Sequence, residues 1–183
     1  YGKTSLLVDF ASQTPWPICW YSLDSLDGDL IRFITHLVAS IQSRFPSFGQ
    51  NSLAALTSTT QDHLNISWLV SSIVNDAYEH INEEFVIILD DFHLVEDSPE
   101  VNQFINSLVQ DLDDNAHLII SSRRLLTLPD LPLLVARSQV GGLSYDELAF
   151  LPEEIQALLL RNYQMNISEE TALEINDQTE GWI

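Results

Sequence analysis

Basic side chains are scarce in this chain. Its 183 residues include 7 Lys and Arg against 27 Asp and Glu, a formal net charge of −20. A surface of that sign cannot grip a nucleic-acid backbone over a broad face, so no direct nucleic-acid contact is expected from this segment. Cys19 is the only cysteine, which excludes an internal disulfide and fits a reducing, cytoplasmic compartment. The histidines, His36, His63, His80, His93 and His117, form no pair at ligand spacing and have no cysteine beside them, which argues against a zinc-type centre. No apolar run reaches the length of a membrane span, and the longest, near residues 131–136, is broken by Pro132. No internal repeat or low-complexity tract is evident.

What is present is enough apolar material for one sizeable core: 45% of the residues are hydrophobic. Leu6, Leu7, Phe10 and Ala11 share one face of a helix that Pro15 and Pro17 stop. The run "ICWYSLD" at 18–24 reads as a buried strand ending in an acidic turn. Behind Asp29, the residues Leu30, Phe33, Ile34, Leu37 and Ile41 repeat at helical spacing. Residues 48–65 lose that period and read as a loop or insertion with one short helix. Asn65-Ile66-Ser67 and Asn166-Ile167-Ser168 match the glycosylation pattern but read as helix starts, with Ser67 as the cap of the first.

Two further apolar runs of strand length follow, "FVIILDD" at 85–91 and "HLIISSR" at 117–123. Between them Ser98-Pro99-Glu100 opens a helix carrying Val101, Phe104, Ile105 and Leu108. Such strands alternating with helices predict a parallel sheet covered on both faces, an α/β fold. "SQVGGL" at 138–143 is expected to be the last strand. Helices starting at Pro152 and Ser168 follow, so a domain boundary is placed near Tyr145, giving 1–144 and 145–183. Trp16, Trp20, Trp68 and Trp182 are expected as core or inter-domain anchors.

In open parallel sheets, ligands collect beyond the carboxyl ends of the strands. Three rarer features fall at such places: Gly2-Lys3-Thr4 before a helix, Asp90-Asp91 after a strand, and Arg123 after another. Taken singly, each is more often an ordinary polar start, turn or surface residue. Together they have the composition of a phosphate site. Gly2 allows backbone approach, the helix amides and Lys3 meet the phosphates, and Thr4 and Asp90 complete the shell of Mg²⁺. Asp91 could orient or deprotonate water, and the Arg123 fork could sense a γ-phosphate. His93 is read as a packing or loop residue.

"YGKTSLLVDFA", "CWYSLDSLDGDLIRFITHLVASIQ", "FVIILDDFHLV", "HLIISSR" and "TEGWI" occur in an order that resembles the STAND class of P-loop ATPases, and most closely the nucleotide-binding domain of MalT-like, LuxR-type transcriptional regulators. The resemblance implies a doubly wound, AAA+-like P-loop domain followed by a small helical lid, with ATP or ADP and Mg²⁺ as cofactors. It implies a slow ATPase switch that self-associates in its ATP state and is joined to effector and sensor domains in the full-length chain. By motif it assigns Gly2, Lys3, Thr4 and Ser5 to the phosphate loop, Asp90 to magnesium, Asp91 to catalysis and Arg123 to sensing. Asp24 and Asp27 match an acidic patch without an assigned role. The front of the phosphate loop and its preceding strand are not in the sequence, which is therefore expected to be a slice of a larger protein. A motor-type AAA+ ATPase, with Arg161 as its second arginine, and a degenerate interaction domain without nucleotide remain as competing readings.

Overall fold

A computed structural model describes residues 2–58 and 65–181; His63, Trp182 and the end of the "TEGWI" motif lie outside them. The chain forms two compact units, Asp9–Val140 and, separately, Tyr1–Val8 with Gly141–Ile183.

The larger unit is built on a parallel sheet of three strands among the described residues, β1 (Ile18–Ser22), β2 (Phe85–Asp90) and β3 (Ala116–Ile120), in the order β1-β2-β3. This is α/β architecture. Cys19 pairs with Ile87, and Ile87 with Leu118. Because side chains alternate along a strand, Cys19, Tyr21, Phe85, Ile87, Leu89 and Leu118 share one face. That face packs into the main core with α2 (Leu30–Gln42), α4 (Ile66–His80) and α5 (Pro99–Asp111). Phe33 of α2 meets Phe104 of α5 edge-on at 6.0 Å and Tyr21 of β1 at 5.5 Å, the geometry that the aromatic quadrupole favours. Val86 and Ile88 point the other way and are buried as well. β2 is thus enclosed on both faces, which explains its unbroken apolar sequence. β3 is only half-buried along its length and pairs on one side alone among the described residues.

The helix starts follow local chemistry. Asp29 accepts the Arg32 amide at 2.9 Å and opens α2. Ser98 accepts the Val101 amide and donates to the Gly28 carbonyl at 2.8 Å, opening α5 while tying it to a distant turn. α4 departs from expectation: its cap is Asn65, whose side chain accepts the Trp68 amide at 3.1 Å. Ser67 lies inside the first turn, because the Asn65 amide oxygen already reaches the third helical N–H.

The short helix in the polar stretch is α3 (Gln50–Ser58). Its first turn is capped from afar by the buried carboxylate of Asp76 on α4, which accepts the Ser52 amide at 2.8 Å, the Ser52 hydroxyl at 2.5 Å and the Asn51 amide at 3.3 Å. A negative charge here satisfies helix amides and opposes the positive end of the dipole. α3 therefore needs little amphipathic patterning of its own.

Two other expectations are corrected. Residues 138–143 form no strand; a strand exists only within a hydrogen-bonded ladder, and an apolar run interrupted by Gly141 and Gly142 has none. The first helix, by contrast, forms as expected as α1 (Lys3–Gln13), ending before Pro15, with Leu7 buried and Leu6 exposed. Trp16 and Trp68 are not core residues, being 39% and 45% exposed. α6 (Leu131–Ala136) follows β3, with Asp130 before it accepting from Asn106 and Gln110 of α5.

In the second unit, α7 (Tyr145–Leu148) precedes α8 (Pro152–Tyr163) and α9 (Glu169–Thr179), which pack on each other with Ile155 and Ala172 buried. Gly181 closes the unit at φ 76°, its carbonyl accepting the Phe150 amide at 2.9 Å. A Cβ there would sit 2.8 Å from that of Ala149, so only glycine fits.

The Asp76 cap yields a measurable expectation. Asp76→Ala should cost about 2–3 kcal/mol in urea denaturation, since it strands buried donors, and Ser52→Ala about 1 kcal/mol. A loss for Asp76→Ala no larger than that of an exposed-site substitution would refute the remote cap.

Candidate functional site

The carboxyl edge of the sheet is tied together by Ser121. Asp90 ends β2 with only 4% of its surface exposed. Its Oδ1 accepts the Ser121 hydroxyl, and the Ser121 oxygen in turn accepts the Asp91 amide at 3.1 Å. Backbone bonds complete the lattice: the Ser121 amide donates to the Leu89 carbonyl at 2.9 Å, Phe92 to Ser121 at 2.8 Å, and Leu23 to Asp90 at 3.0 Å. The two carboxylates are thereby given different roles. Asp90 is enclosed and oriented, whereas the Asp91 side chain is 44% exposed.

Asp91 adopts a left-handed backbone, φ 63° and ψ 39°, a region non-glycine residues rarely occupy outside tight turns and functional sites. His93 sits two residues on, its Nδ1 at 3.6 Å from Asp91 Oδ1, beyond hydrogen-bond range.

Beyond β3, the consecutive arginines separate. Arg124 pairs with Glu96. Arg123 is exposed and has no hydrogen bond or ion pair among the described residues. Asp90, Asp91 and Arg123 all belong to the unit Asp9–Val140; Gly2, Lys3, Thr4 and Ser5 belong to the other. There Gly2 takes φ 84°, Lys3 is half-buried, and Lys3, Thr4 and Ser5 make the first turn of α1, which contains no acid. A helix start of this kind presents amides suited to an anion.

Among the described residues no group of three or more His, Cys, Asp and Glu side chains could hold an ion. Mg²⁺, however, takes one or two carboxylates and completes its shell with phosphate and water. Asp90 is such a carboxylate. Cys19 offers no nucleophile: it is fully buried, and burial pushes its thiol up to about 12, with Arg44 only partly opposing.

Ser121 was not predicted as a site residue. The run "SSR" drew attention to its arginine, whereas the importance of the serine depends on the register that sets Leu89 opposite Ile120.

The acidic patch after β1 has a structural explanation. Asp27 is 1% exposed. It accepts the Asp24 amide at 2.8 Å and Arg32 Nε at 2.9 Å, and His36 Nδ1 lies at 3.1 Å. Asp24 accepts the Leu26 amide at 2.7 Å and pairs with Arg32 at 3.0 Å. The patch is a satisfied network that locks the turn into α2.

Over its whole length the chain is 29% identical to the HTH-type transcriptional regulator MalT of Yersinia pestis (strain Pestoides F), and equally to MalT of Yersinia enterocolitica serotype O:8 / biotype 1B. It spans 20% of the length of each of these relatives. No family model matches the chain. The similarity supports the MalT-like reading of the sequence. No helix among the described residues is long and apolar enough to cross a membrane.

The Asp27 network predicts an acid-sensitive fold. Burial alone would raise this carboxyl, but the Asp24 amide, Arg32, the nearby Tyr21 hydroxyl and His36 together hold it below the usual carboxylate range. A depressed folded-state value means that the stabilisation is complete above about pH 4, where the unfolded carboxyl is ionised. It is lost as pH falls through the lower folded value. Asp27→Asn should lower stability at pH 7 and flatten the loss between about pH 4 and pH 2, read as denaturation midpoints across pH. An unchanged acid limb in the variant would contradict this.

Proposed function

We propose that this chain is the nucleotide-operated switch module of a MalT-like signal-transducing regulator. The observation that carries the reading is the divided carboxylate pair at the end of the buried middle strand: Asp90 enclosed and fixed by Ser121, Asp91 turned outward on a strained backbone. Support also comes from the half-exposed apolar edge of β3, whose composition suits a strand with a neighbour on each side, as the larger doubly wound sheet of a P-loop domain requires.

In this reading Gly2, Lys3, Thr4 and Ser5 hold the phosphates of ATP or ADP, and Thr4 and Asp90 hold Mg²⁺. Bound ATP supplies a hydrolysable anhydride whose terminal phosphate is a removable charge. Asp91 orients the attacking water, and its exposure leaves it able to accept a proton. Arg123, uncommitted where Arg124 is paired, reads whether the γ-phosphate is present. Hydrolysis is slow, and the ATP state favours self-association. Transcriptional control belongs to effector and sensor domains elsewhere in the full-length chain.

Equilibrium binding of fluorescent ATP and ADP to the full-length protein tests the reading. Lys3→Ala should weaken both by about a hundredfold, the scale of a lost charge-assisted phosphate contact. Arg123→Ala should keep ATP affinity within a few-fold but abolish ATP-dependent assembly in sedimentation. Absence of nucleotide binding in the parent protein would leave an interaction domain instead. Normal assembly of Arg123→Ala would remove the sensor role.

A further inference from the structure

The opposite, amino-terminal edge of the sheet holds an open cleft of about 480 Å³. Trp16, Pro17, Trp20, Arg44, Phe45 and Glu83 line it. Most of these residues lie about the starts of β1 and β2, and Trp20 carries the lining to the middle of β1, whereas Asp90 ends β2. Trp16 is stacked on His117 with ring centroids 4.6 Å apart and planes 9° from parallel. His117 is held in turn by Glu84 at 2.6 Å. A large indole is thus braced by a ring and a carboxylate while remaining 39% exposed.

Arg44 is fixed by its Nε, which donates to the Ile18 carbonyl at 3.0 Å. This bond satisfies the free edge of β1 and is a sufficient structural reason for an arginine. It leaves the terminal nitrogens, for which no carboxylate lies within ion-pair distance among the described residues, in a chain where acids outnumber bases 27 to 7. Glu83 on the same wall has no cationic partner among the described residues either. The cleft therefore joins flat aromatic walls to one cation and one anion, neither neutralised by a neighbour, within a volume suited to a small molecule.

We propose that this cleft binds a small zwitterion bearing a flat apolar group, the chemistry of a free aromatic amino acid. The ligand carboxylate meets the Arg44 terminal nitrogens, its ammonium meets Glu83, and its ring lies against the indoles. Opposite charges on one ligand match opposite charges on the wall, which an aromatic anion or cation alone would not. The site is independent of the nucleotide reading, since it shares no residue with it.

The test uses the full-length protein, with tryptophan fluorescence and calorimetry as readouts and L-phenylalanine, L-phenylalaninamide and 3-phenylpropanoate as probes. L-phenylalanine should bind saturably, and each analogue, lacking one charge, about tenfold more weakly. Arg44→Gln should erase the difference between the amino acid and its amide while preserving that between the amino acid and phenylpropanoate. Glu83→Gln should do the reverse. Trp16→Ala should weaken all three alike. Equal responses to the three probes, no saturable response, or loss of both distinctions in either charge variant with its fold intact by circular dichroism would overturn the proposal. ATP binding, measured in the same samples, reports separately on the nucleotide site.

Discussion

The structure depends on the complete enclosure of β2. A parallel strand with apolar neighbours above, below and on both edges cannot slip by one residue without carrying Phe85, Ile87 and Leu89 out of the core and Val86 and Ile88 into it. That constraint fixes where the strand stops. The first polar residue, Asp90, must emerge at the carboxyl end, and it emerges still buried. A carboxylate in that position is tolerable only with a donor, which the register supplies as Ser121 from the next strand. The position of the acid is a consequence of packing as much as of any selection for chemistry.

The same logic explains why parts of the molecule were legible in the sequence. α2 shows its face because its burial is its own, with Leu30, Phe33, Ile34, Leu37, Val38 and Ile41 along one stripe. β2 was legible because burial on both faces leaves an unbroken apolar run. Asp90 and Asp91 were visible as the point where that run ends. What failed depended on partners far along the chain. The short helix expected within 48–65 is there as α3, but the carboxylate that caps it lies 24 residues away, which no local window contains. Residues 138–143 hold Val140 and Leu143 without a ladder, and a short run of this kind cannot by itself be told from a paired strand. Ser121 looks like any strand-end serine until the register sets it beside Asp90.

The acidic turn after β1 shows how a feature with the look of a site can belong to the fold. Asp24 and Asp27 stand out in sequence because they are close together and follow a strand. Their oxygens are engaged by the Asp24 and Leu26 amides and the Arg32 guanidinium, with His36 beside Asp27. Asp91 differs in the respect that matters. It is exposed, held by its own amide rather than its carboxylate, and placed by a backbone conformation that costs energy. Where every oxygen is engaged by the fold's own donors, as in Asp27, stability is a sufficient explanation.

Both edges of the sheet carry charged side chains that stand in the open. At the carboxyl end an outward Asp91 stands near the start of the segment that leads from β3 to Arg123. At the amino end Arg44 and Glu83 face a cleft walled by indoles. β1 and β2 are common to both edges, and their side chains are packed into one continuous core with α2 and α5. The half-buried β3, paired on one side alone among the described residues, carries His117 near its start and leads into Ser121 and Arg123 beyond its end, so it too runs between the two edges.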